Sequence, residues 1–266
     1  MFEGIINRVE HNVKNVDSTR RLIIFGDSFA EYHEHDTNEK RWQSVIAENS
    51  HCSKIVCYAR GGSSLFFSMQ SIYYYVQNDY NIDDVLVFVP TSQGRLPLIW
   101  DIDSDLYKND KPEPGWQSSG LMYLQGQMSE KNRQYKFMKR NDTVIQWLFK
   151  EFCTYENHAM LLNNSIGYFN SLRNKKIVIP AFEFKHENYV LNSPYCLCNI
   201  SLREIKKGEL SDIIYDPRKN HLHPDNHVIL GKQISNYFST MNADLLDEKE
   251  FRTDIYTSVE MYKKDK

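Results

Sequence analysis

Short apolar runs and amphipathic stretches alternate along the chain. Leu22-Ile23-Ile24-Phe25, Ile55-Val56-Cys57, Val85-Leu86-Val87-Phe88-Val89 and Ile177-Val178-Ile179 are continuous apolar runs of strand length. Such runs, without polar alternation, mark strands buried in a sheet. Between them the apolar residues recur at helical spacing. Trp42, Val45, Ile46 and Ala47 share one face. The stretch from Leu65 to Asn81 is an aromatic-rich helix carrying Phe66, Phe67, Tyr73, Tyr74 and Tyr75. Residues 131–173, through Val144, Ile145, Leu148, Phe152, Met160, Leu161, Ile166 and Phe169, read as one or two long helices. Val228, Ile229, Leu230, Ile234 and Phe238 define the last core helix. Asp212 to Tyr215 could add a short edge strand, and residues 2–20, with Ile5, Ile6, Val9, Val13 and Val16 three and four apart, fit an amphipathic helix or a loop laid across the sheet. Strands that alternate with helices predict an α/β fold with a central parallel sheet.

The pattern dissolves from Leu96 to about Ser129, where prolines, glycines, aspartates and aromatic residues mix. A long irregular insertion is expected at about residues 96–130, and Trp100, Tyr107, Trp116 and Tyr123 suit a surface on which something packs. Asp101, Asp103 and Asp105 resemble the opening of a calcium loop. Leu106 stands where the loop's glycine is needed and Pro112 where its final Glu belongs, so calcium is rejected. The expected organisation is one α/β domain over residues 1–240, with this insertion, and a charged extension over 241–266.

Composition narrows the function classes. A formal charge of −3 and a pI near 6.3 leave no global basic field for nucleic acid or an anionic membrane. No stretch approaches the roughly 18 apolar residues of a membrane span, and residues 1–21 lack the apolar run of a signal peptide. A soluble cytoplasmic product with no membrane partner is expected. Five cysteines, Cys52, Cys57, Cys153, Cys196 and Cys198, are an odd set that suits reduced thiols better than a disulfide framework. Cys196 and Cys198 have no second pair at zinc-site spacing.

The candidate chemistry lies where the strands end. The first run stops on Gly26-Asp27-Ser28, which puts Ser28 on a tight turn at the strand's carboxyl end, where open α/β sheets bind ligands. Asp and Ser are also ordinary turn and cap residues there. The second run ends in Arg60-Gly61-Gly62-Ser63-Ser64. Its paired glycines allow a main-chain N–H to approach a developing oxyanion, while Ser63 or Ser64 could simply cap the next helix. The third run ends in Pro90-Thr91-Ser92-Gln93-Gly94-Arg95. Three histidines, His221, His223 and His227, precede the last helix, and His33 and His35 follow Ser28 in a polar loop. No acidic fourth ligand stands at a familiar spacing from the three, so neither a metal nor any other cofactor is expected.

Gly-Asp-Ser near the start, a glycine pair after the second strand, a polar loop after the third and His-Pro before the terminal helix together resemble the SGNH (GDSL) hydrolase superfamily. The resemblance covers roughly residues 21–95 and 212–240. It implies a three-layer α/β/α, flavodoxin-like fold and ester hydrolysis by a serine nucleophile. By that resemblance Ser28 is the nucleophile and its own N–H an oxyanion donor, Gly62, in preference to Gly61, is the second donor, and His223 is the base. Asp27 and Arg95 are the candidate substrate contacts, Arg95 for an anionic group.

Two positions depart from the family pattern. Where the family's third block has Gly-x-Asn-Asp, this chain has Pro90-Thr91-Ser92-Gln93, so Ser92 or Gln93 must replace the missing amide donor. Loss of one such donor costs on the order of 100- to 1,000-fold in rate. Where the fourth block has Asp-x-x-His, Asn220 stands three residues before His223. Its oxygen can accept the Nδ1–H bond but supplies no charge, and Asp216 and Asp225 are the candidates to compensate. The Thr91-Ser92 pair with Arg95 downstream looks similar to SGNH-like proteins of phages, which implies a virion or surface-glycan association. The leading expectation is an esterase acting on a small-molecule or glycan ester, such as an O-acetyl group on carbohydrate. The competing one is an SGNH-fold protein with weakened or lost catalysis that binds a glycan or serves a structural, viral role.

Overall fold

The computed structural model describes residues 8–14, 16–32, 41–60, 63–91, 155–181, 202, 222, 224–241 and 248–251, with the backbone alone at 95–99 and 116–120. In chain order the elements are β1 (Val9–Asn12), β2 (Arg21–Gly26), α1 (Trp42–Asn49), β3 (Lys54–Ala59), α2 (Leu65–Asn78) and β4 (Val85–Val89). There follow β5 (Arg95–Ile99), β6 (Trp116–Gly120), α3 (Tyr155–Ser171), β7 (Lys175–Val178), α4 (Pro224–Thr240) and a 3-10 turn at Glu248–Glu250. The protein is α/β, with a five-stranded sheet ordered β1-β3-β2-β4-β7. β3, β2, β4 and β7 are mutually parallel, and β1 is antiparallel to β3. All four apolar runs of the sequence are therefore neighbouring strands.

The central strand is β2, and its residues divide the apolar side chains between two clusters, as period-two geometry requires. Leu22 and Ile24, with Ile55, Cys57, Val85, Val87 and Ile177, join Trp42 and Ile46 of α1 and Leu230, Ile234 and Tyr237 of α4. Ile23 and Phe25, with Val56, Tyr58, Leu86, Phe88 and Val178, join Leu65, Ile72 and Tyr75 of α2 and Leu162, Ile166 and Phe169 of α3. Strand residues with no exposed side read as unbroken hydrophobic runs, which is why these strands were legible. Helices α1 and α4 pack so closely that a Cβ added at Gly231 would lie 2.5 Å from the Val45 Cβ and 2.9 Å from the Trp42 carbonyl oxygen.

Two expectations are corrected. Within residues 2–20, residues 9–12 form an edge strand paired to β3, with Val9 opposite Cys57 and His11 opposite Ile55, rather than a helix or a loop. Four residues are too few for helical periodicity to decide against extended pairing, and a free sheet edge supplies the hydrogen bonds. The stretch from residue 96 onward is not wholly irregular: Arg95–Ile99 pairs antiparallel with Trp116–Gly120, with Pro97 opposite Ser118. Among the described residues each strand of this sheet pairs on one side only, and an edge strand tolerates the missing N–H of a proline such as Pro97.

Of the long helical stretch expected over 131–173, residues 155–171 form α3, and the earlier part lies outside the described residues, as does Asp212 to Tyr215. Beyond residue 240, Phe251 is buried in the cluster under α4, and Gln233 donates to Glu250 at 2.9 Å. Cys52 and Cys57 are buried free thiols, and burial pushes them up to about 12 and about 11. No described helix is long and apolar enough to cross a membrane.

Candidate active site

Strand β2 ends because Gly26 adopts φ +151°, a conformation that side chains rarely allow. The position is also sterically closed, since a Cβ there would lie 2.6 Å from the Val89 carbonyl oxygen and 2.8 Å from the Ala30 Cβ. The chain turns at once. The Asp27 carbonyl accepts from the Ala30 and Glu31 N–H groups at 3.0 and 2.9 Å, and the Asp27 Oδ1 accepts from the Phe29 N–H at 3.0 Å. Ser28 sits on this turn, 5% exposed, at the carboxyl end of the central strand.

The turn is braced from both neighbouring strands. After β4, the Thr91 hydroxyl donates to the Asp27 Oδ2 at 2.7 Å. After β3, the Ser63 hydroxyl donates to the Gly26 carbonyl at 3.1 Å, and the Arg60 N–H reaches the same oxygen at 3.3 Å. Ser64, next in the chain, caps α2 by accepting from the Phe67 N–H at 3.3 Å. Ser63 and Ser64 thus have different tasks, one holding the Ser28 turn and one starting a helix. The loop after β4 is tied onward to the chain beyond β7 by the Ala181 N–H, which donates to the Pro90 carbonyl at 3.0 Å.

Asp27, expected as a substrate contact, is tied into the turn: the carboxylate is fully buried and both of its oxygens accept hydrogen bonds from the protein. Burying a charged carboxylate is costly unless its oxygens are satisfied, and these partners satisfy them.

His158, in the first turn of α3, was not singled out from the sequence, yet it belongs to this edge. It is buried and hydrogen-bonded to the Thr91 main chain, and burial, opposed in part by that bond, pulls its pKa down to about 4. A neutral imidazole is therefore packed against the loop that holds Asp27. Its signal was present: His158, Leu162, Ser165, Ile166 and Phe169 fall on one helical face, and a histidine on an apolar stripe needs a polar partner. Thr91 had a weaker signal, as a small polar residue beyond the most apolar strand.

The chain has no significant match to a family model, a curated protein or a solved structure.

The other expected site residues divide by location. Gly62, Gly61, Ser92, Gln93, Asn220, His221 and His223 lie outside the described residues, as do His33 and His35, and Arg95 is described only as backbone in β5. His227 is described. It is buried in the first turn of α4, and its Nε2 lies 3.0 Å from Arg41 Nη1, just before α1. A guanidinium can only donate, so this Nε2 is an acceptor for arginine. No group of three potential metal-ligating side chains occurs among the described residues. A cavity of about 520 Å³ lined by Asp17, Ser18, Arg20, His51 and Asp83 opens at the amino ends of the strands and shares no residue with the Ser28 turn.

Proposed function

We propose that this protein is a serine esterase of the SGNH type, with the three-layer α/β/α fold of that superfamily and Ser28 as nucleophile. One observation carries the reading: Ser28 stands on a braced, buried turn at the carboxyl end of the central strand, where the strand order reverses, the chain passing from β2 to β3 on one side and then from β3 to β4 on the other side of β2. Ligands of open α/β sheets bind at that switch point.

The proposed chemistry is acyl transfer in two halves. The Ser28 Oγ attacks the ester carbonyl while its proton passes to the His223 imidazole, and the oxyanion takes hydrogen bonds from the Ser28 N–H, from Gly62 and from the Ser92 hydroxyl. The tetrahedral intermediate collapses, the acyl C–O bond to the alcohol breaks, and the imidazolium returns the proton to the departing alcohol. Water, deprotonated by the same imidazole, then releases the acid and restores Ser28. Asn220 would hold the imidazole through its side-chain oxygen. Arg95 is proposed to receive an anionic substrate group, and the aromatic residues of 96–130 would stack on sugar, which favours an O-acetylated carbohydrate as substrate.

The test is hydrolysis of 4-nitrophenyl acetate by the purified protein and by Ser28→Ala. Slow turnover that vanishes in the variant is expected, and equal rates in the two proteins would refute the reading.

A further inference from the structure

We infer that Thr91 is a positioning residue for Ser28, acting through the carboxylate of Asp27, with His158 anchoring the Thr91 main chain from α3. The inference deepens the esterase reading and rests on it for its catalytic meaning. Its geometric content, that Thr91 fixes the Ser28 turn, stands on the structure alone.

Four observations carry it. Asp27 and Thr91 are both fully buried, so solvent does not replace their bond. The Thr91 hydroxyl meets Asp27 Oδ2 at 2.7 Å, the length of a strong charge-assisted bond. The other oxygen of the same carboxylate receives the Phe29 N–H at 3.0 Å, so a shift of the carboxylate is transmitted directly to the backbone on both sides of Ser28. Finally, the Thr91 main chain is itself held by His158, so the donor is fixed in turn.

A misplacement of about 1 Å at a reacting group can cost on the order of 100-fold in rate, so a device of this kind governs reactivity without touching the substrate. Thr91 is thus distinct from the residues that contact the reacting atoms. Where a carboxylate would otherwise be free to rotate, the hydroxyl selects one orientation of it, and that orientation selects the turn.

The experiment compares wild type, Thr91→Val, Thr91→Ser and Thr91→Cys by two readouts. The first is amide hydrogen exchange at Phe29, Ala30 and Glu31. The second is the rate at which a fluorophosphonate labels Ser28. Thr91→Val, which keeps shape and loses the donor, is expected to speed exchange at Phe29 at least tenfold and to slow labelling at least tenfold. Thr91→Ser is expected to restore both to within about threefold of wild type. Thr91→Cys, with a weaker donor of similar size, should fall between them and serves if the valine variant does not fold. Unchanged exchange at Phe29 in a folded donor-deficient variant would overturn the inference, as would failure of Thr91→Ser to restore it. An exchange response without labelling of wild-type Ser28 would support the positioning role of Thr91 and refute the esterase reading instead.

Discussion

The Thr91 hydroxyl and the Asp27 carboxylate, 64 residues apart in sequence, meet at 2.7 Å across the carboxyl ends of β4 and β2. Each follows a strand whose carboxyl end is buried: β2 pairs Phe25 with Phe88 and Gly26 with Val89, so the sheet register brings the two loop starts side by side. The apolar strands thus deliver two polar side chains to one point, and the bond between them shapes the turn on which Ser28 sits.

Gly26 should tolerate no side chain. Gly26→Ala places a Cβ 2.6 Å from a backbone carbonyl oxygen, at φ +151°, so neither a rotamer change nor a small side-chain shift relieves it. The expected result is destabilisation by about 3 kcal/mol or more, or failure to fold, read by urea unfolding. A variant as stable as wild type would mean that the turn can be built differently.

Stability should fall in acid through His158. Its pKa is about 4 in the folded protein, against about 6.5 for an unperturbed imidazole, so between these values the unfolded chain binds more protons. Stability therefore rises with pH across that window, is complete above about pH 6.5, and is lost as pH falls toward 4. The contribution is on the order of 3 to 4 kcal/mol, because one pKa unit corresponds to about 1.4 kcal/mol. His158→Leu should lower stability at pH 7 and flatten the dependence between pH 4 and 6.5, measured by urea unfolding at several pH values.

Arg21 should be among the most sensitive polar residues at the other end of the sheet. Its Nε and Nη2 donate to Asp84 Oδ1 and Oδ2 at 3.0 and 2.7 Å, and its Nη1 donates to Asp79 at 2.8 Å. The Asp84 side chain is fully buried and also accepts from the Tyr75 hydroxyl at 2.9 Å. Removing the guanidinium leaves a buried carboxylate without its counter-ion, so Arg21→Met is expected to cost about 3–5 kcal/mol. The double variant Arg21→Met with Asp84→Asn should recover part of that loss in a double-mutant cycle, whereas strict additivity would show that the pair is uncoupled.

Sequence by itself determined the sheet strands with continuous apolar runs, the helical segments between them and the placement of Ser28 after Gly26. These follow from local rules: apolar runs of strand length, helical spacing of apolar residues, and a glycine where the backbone must leave the strand. The edge strand at Val9–Asn12 was not legible, because a strand of four residues at a sheet edge takes its identity from the neighbour that pairs with it. Nor was the pairing of Arg95–Ile99 with Trp116–Gly120, whose pattern is broken by Pro97 and by small polar residues. The surroundings of Asp27 were not legible either, because an acid beside a serine is ambiguous in one dimension. Only the tertiary structure shows it buried, with Thr91 brought from 64 residues away to hold it and His158 behind. Hydrogen-bond partners distant in sequence leave no periodic trace, so side-chain roles at the strand ends are settled by the register of the sheet.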